Sequence, residues 1–600
     1  MDDNKNFLIA VLLAAVVLFA WDYFIAMPQE KQAELAHQAQ LAHEEKPRPV
    51  AAGPGATGAI GNLVRGEALS RGGRRIVVDT PALDGSIRLK GALFDDLRFK
   101  QYHETVNPGS PEIVLLSPSG TSYPYYAMFG WVGAPGANIK TPGDSTAWQL
   151  VSGAKLTQDR PVILRWDNGQ GLVFTRKIAV DDRYLFTVTD SVHNTGTSKI
   201  ALFPYGYVVR DGVPPEKSSW ILHEGYIGIA GGTEHDANYD DFKDDKPPQT
   251  FQSTGGWLGF TDKYWMTAVV PPQNAGFDAT YRASPLDGTK AYQANFRLNG
   301  ITLSPGGTST LTDHLFAGAK VVAVLQQYEA HYGIEKLHYA VDWGWFWFFT
   351  QPIFYLLDLF YRFLGNFGVA ILLLTVAIKV LFFPLADASY RSMSRMKKLQ
   401  PEVERIRERF AEDKVRQQQE MMELYKREKV NPLSGCLPMV IQIPVFFSLY
   451  KVLYVTIEMR QAPFFGWIHD LSAPDPTSFL NLFGVLPYSI PAFVPAVLHV
   501  GLWPILMGLT QWLQTKMNPA PADPVQQRMF AFMPLIFTFM LSAMPAGLVI
   551  YWTWNNLLSV GQQYVMMRRQ GVDVHLVDNL RPPAFLRRLL GRTTNTQPGE

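Results

Sequence analysis

The sequence predicts a multi-span α-helical membrane protein, with six spans of which five form a core, joined to a large all-β sandwich domain and a helical hairpin. Three observations support this prediction. Residues 28–335 are polar and rich in Gly, Pro, Asp and Thr, with apolar residues at alternate positions in several stretches. Residues 340–570 contain long apolar runs. Lys and Arg are concentrated between some of these runs and nearly absent between others.

The composition excludes several classes of protein. The 600 residues carry 54 Lys and Arg against 53 Asp and Glu, a formal net charge of +1. Proteins that coat nucleic acid are usually basic, so we expect no direct binding of nucleic acid. Cys436 is the only cysteine of the sequence, which excludes a disulfide within the chain and any multi-cysteine metal site.

The first 27 residues are predicted to form an N-terminal transmembrane anchor. The apolar run 7–26 would rise about 30 Å as a helix, roughly one hydrocarbon core. The alternative is a cleaved signal peptide, but MDDNKN carries one Lys against two Asp, and no A-x-A site follows the run. Residues 28–62 have few bulky apolar residues and are predicted to be a flexible linker.

Residues 63–335 are predicted to form a β-sandwich domain. Apolar residues alternate along 162–166, 172–180 and 184–188, and the segments DNGQG and Asp181-Asp182 separate these runs. Period-two runs between Gly, Asn and Asp indicate antiparallel strands in a sandwich or barrel.

The apolar character returns after this domain. Residues 338–365 are rich in Trp, Phe and Tyr and are interrupted by polar residues, which predicts an amphipathic helix in the membrane interface. Met544-Pro545-Ala546-Gly547 divides the last apolar run in two. The predicted transmembrane segments are 366–386, 435–457, 498–517, 529–544 and 547–567.

The positive charges orient these spans. Twelve Lys and Arg lie in 387–432 and six in the tail 568–600, whereas the loop 458–497 contains only Arg460. The positive-inside rule therefore places 387–432 and the tail in the cytoplasm and 458–497 outside. With six spans the N-terminus is also cytoplasmic and the β domain lies outside.

Residues 387–432 have the pattern of two helices folded into a hairpin. An a/d stripe is followed by a second apolar set after Ala411-Glu412-Asp413-Lys414. We expect a self-packed cytoplasmic unit that does not line a groove between the spans. The stripe consists of Met396, Leu399, Val403, Ile406 and Phe410.

Lys379 is the most informative single residue, because it lies within the span 366–386 and that span contains no Asp or Glu. Lysine in hydrocarbon costs at least ~2.5–3.5 kcal/mol on insertion scales. One interpretation is that the amine extends to the cytoplasmic headgroups. The other is that it faces a hydrated groove. Polar residues that can line such a groove are Thr375, Gln442, Ser448, Thr510, Gln511, Asn555, Asn556 and Gln562.

The sequence contains no GxxxxGK[ST], HExxH or GxSxG motif. We therefore expect neither an enzyme nor a bound cofactor or metal.

Several segments resemble the YidC family of membrane protein insertases of Gram-negative bacteria. The resemblance covers 340–570 closely and extends to the anchor and β domain by their order. It rests on LGNFGVAILLLT (364–375), LQPEVERIRERF (399–410), residues 419–446, RQAPFFGWIHDLSAPDP (460–476), QQRMFAFMPLIFTF (526–539) and PAGLVIYWTWNNL (545–557).

The resemblance implies a multi-pass protein of the bacterial inner membrane with both termini cytoplasmic. It implies a five-span core with a hydrophilic groove open to the cytoplasm, and a periplasmic sandwich of the galactose-mutarotase-like type. The implied function is to insert nascent membrane proteins and help them fold, alone or with the Sec translocon, without nucleotide hydrolysis. The implied partners at the hairpin and tail are ribosomes or targeting factors, and membrane lipids surround the spans.

The family's groove carries a positive residue, often Arg, and Lys379 occupies that position here. Thr375, Pro444 and Tyr551 fall where the family contacts incoming segments. We expect Gln442, Gln511 and Asn555 to complete the substrate-binding groove. Residues 481–497 depart from the family pattern as an insertion in the outer loop.

Two other classes of function remain open at this stage. A transporter or channel for a small anion would use Lys379 directly, but the sequence shows no internal repeat. A membrane-anchored periplasmic module that binds or isomerises sugars would leave the five-span core and the hairpin without a role.

The charge asymmetry makes a topological prediction. A reporter fused after Arg592 is expected in the cytoplasm, and one inserted within 160–200 is expected in the periplasm. Alkaline phosphatase and green fluorescent protein fusions measure this. Both reporters on one side of the membrane would contradict the six-span arrangement.

Overall fold

A computed structural model of the chain describes residues 61, 63–213, 222–242, 247–286, 289–428, 430, 437–486, 498–518 and 524–571. The predicted anchor 1–27, the linker 28–62 apart from residue 61, and the tail beyond residue 571 lie outside the described residues. So do residues 487–497 of the predicted insertion 481–497.

Twenty strands run through the described part of the β domain. The first ten are β1 (Arg75–Asp79), β2 (Leu83–Arg88), β3 (Leu93–His103), β4 (Glu112–Leu116), β5 (Tyr125–Gly133), β6 (Gln149–Ser152), β7 (Lys155–Leu156), β8 (Val162–Asp167), β9 (Leu172–Val180) and β10 (Leu185–Asn194). The others are β11 (Ile200–Asp211), β12 (Gly225–Ala230), β13 (Thr233–Asn238), β14 (Gln249–Thr254), β15 (Gly256–Thr261), β16 (Trp265–Val270), β17 (Gly276–Leu286), β18 (Thr289–Leu298), β19 (Ile301–Leu303) and β20 (Thr308–Ala319).

The strands form two sheets, which confirms the predicted sandwich. One sheet has eleven strands in the order β14-β17-β18-β11-β5-β3-β2-β1-β7, with β19 on β11 and β4 on β3. The other has nine, in the order β13-β12-β15-β16-β20-β10-β9-β8-β6. Among the described strands only β1 and β7 pair in parallel.

The alternation seen in the sequence is the alternation of burial. Along β9 the residues at 172, 174, 176, 178 and 180 are all buried, and β9 pairs antiparallel with β8 and β10. Arg176 shares this apolar face and is fully buried. Its guanidinium donates two hydrogen bonds of 2.7 Å to the carboxylate of Asp190 on β10, which explains how the core accepts the charge.

Helices flank and follow the β domain. They are α1 (Arg65–Arg71), α2 (Val322–Tyr332), α3 (Trp347–Leu364), α4 (Phe367–Leu381), α5 (Phe383–Arg409), α6 (Lys414–Arg427), α7 (Leu437–Val455), α8 (Leu502–Met517), α9 (Pro524–Leu541) and α10 (Ala546–Arg569). Short 3₁₀ turns occupy Tyr239–Phe242, Leu337–Ala340, Ile457–Met459 and Phe479–Gly484.

The segment predicted as one span, 366–386, is divided between two helices. The side chain of Asn366 caps the start of α4 by accepting a hydrogen bond from the N–H of Val369. The helix then ends at Leu381, and α5 continues at an angle of 68°. Pro384 lies in the first turn of α5, where its missing N–H is tolerated, whereas inside a continuous helix its ring would clash. The helix that contains the first part of the predicted hairpin 387–432 therefore begins at Phe383.

No single described helix is long enough and apolar enough to cross a membrane alone. Of the described helices, only α4 and α5 taken together, as a bent pair, have the required length and apolar composition.

The β domain contacts the helices through polar groups. The ammonium of Lys451 on α7 lies 2.6 Å from the carboxylate of Asp342, and Lys263 Nζ lies 3.6 Å from the ring centroid of Tyr454. The side chain of Gln461 donates a hydrogen bond of 3.1 Å to the carbonyl of His103. These contacts attach the end of α7 to the β domain.

Glu458 is the acidic member of this junction. Its Oε1 accepts a hydrogen bond of 3.1 Å from the N–H of Val322, the first residue of α2, whose own N-cap makes no side-chain hydrogen bond. Its Oε2 is buried without a hydrogen-bond partner among the described residues. This desolvation raises the pKa of Glu458 to about 7, and the hydrogen bonds to its carboxylate only partly oppose the rise.

The raised pKa predicts a pH dependence of stability. Protonation of Glu458 favours the folded state, so the stabilisation is complete below about pH 4.5 and is lost as the pH rises through about 7. Glu458→Gln should gain stability relative to the wild type by about 1–3 kcal/mol between pH 5 and pH 8. Thermal unfolding of the full-length protein at several pH values measures this.

The stability of Glu458→Gln must be compared with that of the wild type at each pH, because the pKa values of Asp211 and Glu234 are also raised by burial to about 7. Their contribution is common to both proteins and cancels in the difference. A difference in stability that does not change with pH would show that Glu458 does not titrate in this range.

Candidate functional site

The described helices enclose a cavity of about 390 Å³. It lies among α4, the start of α5, α7, α8, α9 and α10. Its polar lining consists of Lys379, Tyr390, Gln442, Gln511, Gln514, Asn518, Tyr551, Asn555, Asn556, Ser559, Gln562 and Gln563. Its apolar lining consists of Ile378, Phe382, Leu385, Ala386, Met393, Ile443, Val445, Phe446, Met533, Phe537 and Trp552.

Lys379 lies in the last turn of α4 and extends across to α10. Its ammonium donates a hydrogen bond of 2.6 Å to the hydroxyl of Ser559, and that hydroxyl donates one of 2.7 Å to the carbonyl of Asn555. The position at the end of α4 is favourable for a cation because the helix dipole is negative there. The amine therefore lies in the cavity wall, hydrogen-bonded to α10.

The cavity carries one formal charge. Among its described lining residues Lys379 alone is charged, and none is acidic. The remaining polar groups are mostly amides, which both donate and accept hydrogen bonds. A space of this kind can hydrate a peptide segment and attracts negative charge, whereas nothing in its lining repels a carboxylate.

Amide and ring groups connect the walls. The amide of Gln442 on α7 donates to the hydroxyl of Tyr551 on α10. The indole N–H of Trp552 donates to Gln511 Oε1 on α8 at 3.1 Å. Further along, Gln563 Nε2 lies 3.2 Å from Asn518 Oδ1. These bonds fix the spacing of α7, α8 and α10 around the cavity.

Aromatic rings cover one end of the cavity. The ring centroid of Trp552 lies 4.6 Å from that of Phe446 and 5.5 Å from that of Phe537. Trp552 and Phe537 also pack on the buried cluster of Met507, Leu541 and Val549, which lies next to the start of α10. The polar lining therefore ends in an apolar layer.

The structure brings together five of the seven residues predicted for the groove, namely Lys379, Gln442, Gln511, Tyr551 and Asn555. Thr375 and Pro444 lie outside the lining. Thr375 is buried one helical turn before Lys379, and its hydroxyl donates to the carbonyl of Ile371 in its own helix.

Ser559 is the important residue that reasoning from the sequence missed. A signal was present, because Tyr551, Asn555 and Ser559 follow each other at intervals of four and so share one helix face. Each of these residues alone is common in membrane helices, so only the spacing distinguishes the set.

The expectation that the hairpin does not line the groove is wrong for the first residues of the hairpin. Tyr390 and Met393 lie within the predicted hairpin 387–432, and both line the cavity. They pack with Met566 of α10 in one buried cluster, because α5 runs without interruption from Phe383 to Arg409. The first helix of the hairpin is thus also a wall of the cavity.

No cluster of three or more His, Cys, Asp and Glu side chains that could hold a metal ion occurs in the described part of the chain.

Comparisons with known proteins match both halves of the chain. The family model described as YidC periplasmic domain matches residues 75–356, and that described as 60Kd inner membrane protein matches 359–572. The membrane protein insertase YidC of Methylorubrum extorquens (strain PA1) is 50% identical, over 97% of this chain and 97% of its own.

The protein of the same name from Rhizobium meliloti (strain 1021) is 49% identical, over 97% of this chain and 98% of its own. Among solved structures, an active YidC insertase with its first transmembrane domain resolved is 16% identical. The match covers 85% of the present chain and 95% of the chain of the solved structure, with a TM-score of 0.35.

The lining predicts which residues of α10 contact water. In a Cys436→Ser background, Asn555→Cys should react with a hydrophilic maleimide about tenfold faster than Thr553→Cys. Thr553 is a matched control because it is buried on the same helix, outside the lining, and bonds the carbonyl of Val549. Mass spectrometry of the labelled protein measures both rates. Equal rates would mean that the cavity is not hydrated.

Proposed function

The chain belongs to the YidC family of membrane protein insertases, and from this premise we propose that it inserts inner-membrane proteins and helps them fold. The cavity at Lys379 is the path for the hydrophilic segment of the client that must cross the membrane. The observation that carries this proposal is a single ammonium group in a lining of amides without any carboxylate.

Two terms drive insertion in this mechanism. Lys379 attracts an acidic translocated segment, and the amides of Gln442, Gln511 and Asn555 replace part of its hydration. This lowers the cost of desolvating polar groups, which is several kcal/mol for each unpaired group in hydrocarbon. The apolar part of the client then enters lipid with a gain of about 25 cal/mol per Å² of apolar surface. The mechanism requires no nucleotide.

The bond from Lys379 to Ser559 suits a transient role. A neutral hydroxyl holds the ammonium less strongly than a carboxylate would, because charge-assisted bonds between two ions are stronger. A client carboxylate therefore displaces Ser559 without first breaking an ion pair. Tyr551 lies on the same face of α10 and contacts the client next to it, while Thr375 and Pro444 reach a client only if the helices part.

The remaining parts of the chain take the topology that the sequence predicts. The β domain is periplasmic, and the hairpin and tail are cytoplasmic. The hairpin receives ribosomes or targeting factors, and the core acts alone or beside the Sec translocon. Since α5 belongs to both the hairpin and the cavity wall, a partner bound at the hairpin lies at the mouth of the insertion path.

A small-anion transporter or channel is the alternative, and the lone ammonium group is the observation that favours it. Such a protein would conduct anions in liposomes without any client. Anion flux that depends on Lys379, together with normal insertion by Lys379→Ala, would favour this alternative over insertion.

A series at Lys379 tests the proposed function. Lys379→Arg should retain insertion, whereas Lys379→Ala and Lys379→Glu should slow insertion of clients with an acidic translocated segment by roughly tenfold. A tenfold change corresponds to about 1.4 kcal/mol, which lies within the range of about 1–3 kcal/mol for the loss of a hydrogen bond to a charged group. Matched neutral clients should be much less affected. Protease protection in reconstituted vesicles measures insertion.

Two variants serve as controls. Lys516→Ala removes the same charge from an exposed position at the end of α8, outside the cavity lining, and should have no effect. Ser559→Ala removes the partner of Lys379 but keeps the charge, and should affect acidic clients only slightly. If Lys379→Ala inserts acidic and neutral clients equally well, the electrostatic mechanism is wrong.

A further inference from the structure

The loop formed by residues 471–477, which we call the capping loop, contacts the first turns of two helices of the cavity wall. On α8, the N–H of Trp503 donates a hydrogen bond of 2.9 Å to Asp475 Oδ2, and the N–H of Leu502 donates one of 2.9 Å to the hydroxyl of Thr477. Both N–H groups belong to the set that a helix cannot satisfy internally.

The same loop also accepts hydrogen bonds from the first turn of α10. The N–H of Ala546 donates a hydrogen bond of 2.7 Å to the carbonyl of Ala473, and the N–H of Gly547 donates one of 3.0 Å to the carbonyl of Leu471. The residues preceding the two helices, Gly501 and Pro545, form no capping hydrogen bond through a side chain. The capping loop thus supplies the acceptors that both helices lack.

Asp475 holds this loop in shape. Its side chain is buried, and its Oδ1 accepts hydrogen bonds from the indole of Trp467 and from the N–H and hydroxyl of Thr477. Its Oδ2 is left for α8, where a negative charge is favourable at the positive end of the helix dipole. A Cβ at Gly501 would lie 2.6 Å from the Asp475 carboxyl carbon, so the fit requires glycine at that position.

We propose that Asp475 is a positioning residue for the cavity. It caps α8 directly and holds the capping loop so that the carbonyls of that loop cap α10, and in this way it sets the spacing of the wall that carries Gln511, Trp552 and Ser559. The inference rests on the function proposed for that cavity. From the capped ends the two helices remain in register through the bonds from Trp552 to Gln511 and from Asn556 to Thr510. Asp475 acts through these helices and touches no client.

Hydrogen exchange of the full-length protein in nanodiscs tests the cap. Asp475→Ala should speed exchange about tenfold at the first turns of both α8 and α10, and leave α4 unchanged. The effect on α10 is the decisive one, because Asp475 makes no direct bond to that helix. Gly501→Ala should do the same by displacing the carboxylate while keeping it in the chain.

A second measurement distinguishes a change in the orientation of α10 from a general loss of protein stability. In the Cys436→Ser background, Asp475→Ala should raise labelling of Thr553→Cys towards that of Asn555→Cys, since α10 is no longer held in one orientation. Val162→Ala, which opens the core of the β domain, should not change this ratio. Insertion should fall severalfold and equally for acidic and neutral clients, and Asp182→Ala should match the wild type as a control for charge.

The possible results are distinct. Faster exchange at α8 alone would reduce Asp475 to a local cap and overturn the proposal, as would faster exchange at both helices with normal insertion. If Asp475→Ala does not accumulate, Asp475→Asn provides the same test, because it keeps Oδ1 but lacks an acceptor for Trp503. If Lys379→Ala inserts clients normally while Asp475→Ala speeds exchange at both α8 and α10, the proposed function is wrong but the capping role of Asp475 is supported.

Discussion

The cost of keeping one ammonium group among apolar helices is the constraint on which the helical part of this protein depends. A charge without a partner in such surroundings costs several kcal/mol, so it must meet polar groups or water. The described lining offers Lys379 no carboxylate, and the hydroxyl of Ser559 takes that place. Neutral partners leave the charge available, and the helices must then be held apart so that amides and water can surround it.

The walls of the cavity are held in different ways. The wall of α8 and α10 is joined by the capping loop at one end and by bonds from Trp552, Asn556 and Gln563 along its length. By contrast, α7 meets α10 in the described polar contacts through Gln442 and Tyr551. The wall of α8 and α10 is therefore braced along its length, whereas the bond from Gln442 to Tyr551 joins α7 to α10 near the start of each helix.

Much of the fold follows from local patterns, whereas the site follows from contacts between distant residues. Alternation and turn residues predicted the strands around 162–188, because side chains on a strand point to opposite faces. The pairing of β10 with β20, more than a hundred residues later, has no local signal. Lys379 was visible because a charge interrupts an apolar run. Its partner Ser559 was indicated only by its spacing from Tyr551 and Asn555, because serine is unremarkable in a helix and the contact joins residues 180 positions apart.

The break between α4 and α5 at Phe382 is a second feature that local sequence patterns do not reveal. Hydropathy continues through 366–386, and Pro384 by itself is compatible with a kink or with a helix start. The bend places the start of α5 against the cavity, so Tyr390 and Met393 belong to its wall although Asp387, Arg391 and Arg395 lie close to them in the sequence. Composition assigned these residues to the hairpin, and only the direction of the helix assigns them to the site.

The position of α7 connects the β domain to this site. Gln442 reaches the cavity and Lys451 reaches Asp342 in the junction with the β domain. Nine residues separate them, which is about 14 Å along the helix axis. The contact of Lys451 with Asp342 attaches α7 to the β domain, while the capping loop attaches α8 and α10. The spacing around Lys379 is therefore set from two separate attachments, and neither of them contains a residue of the cavity lining.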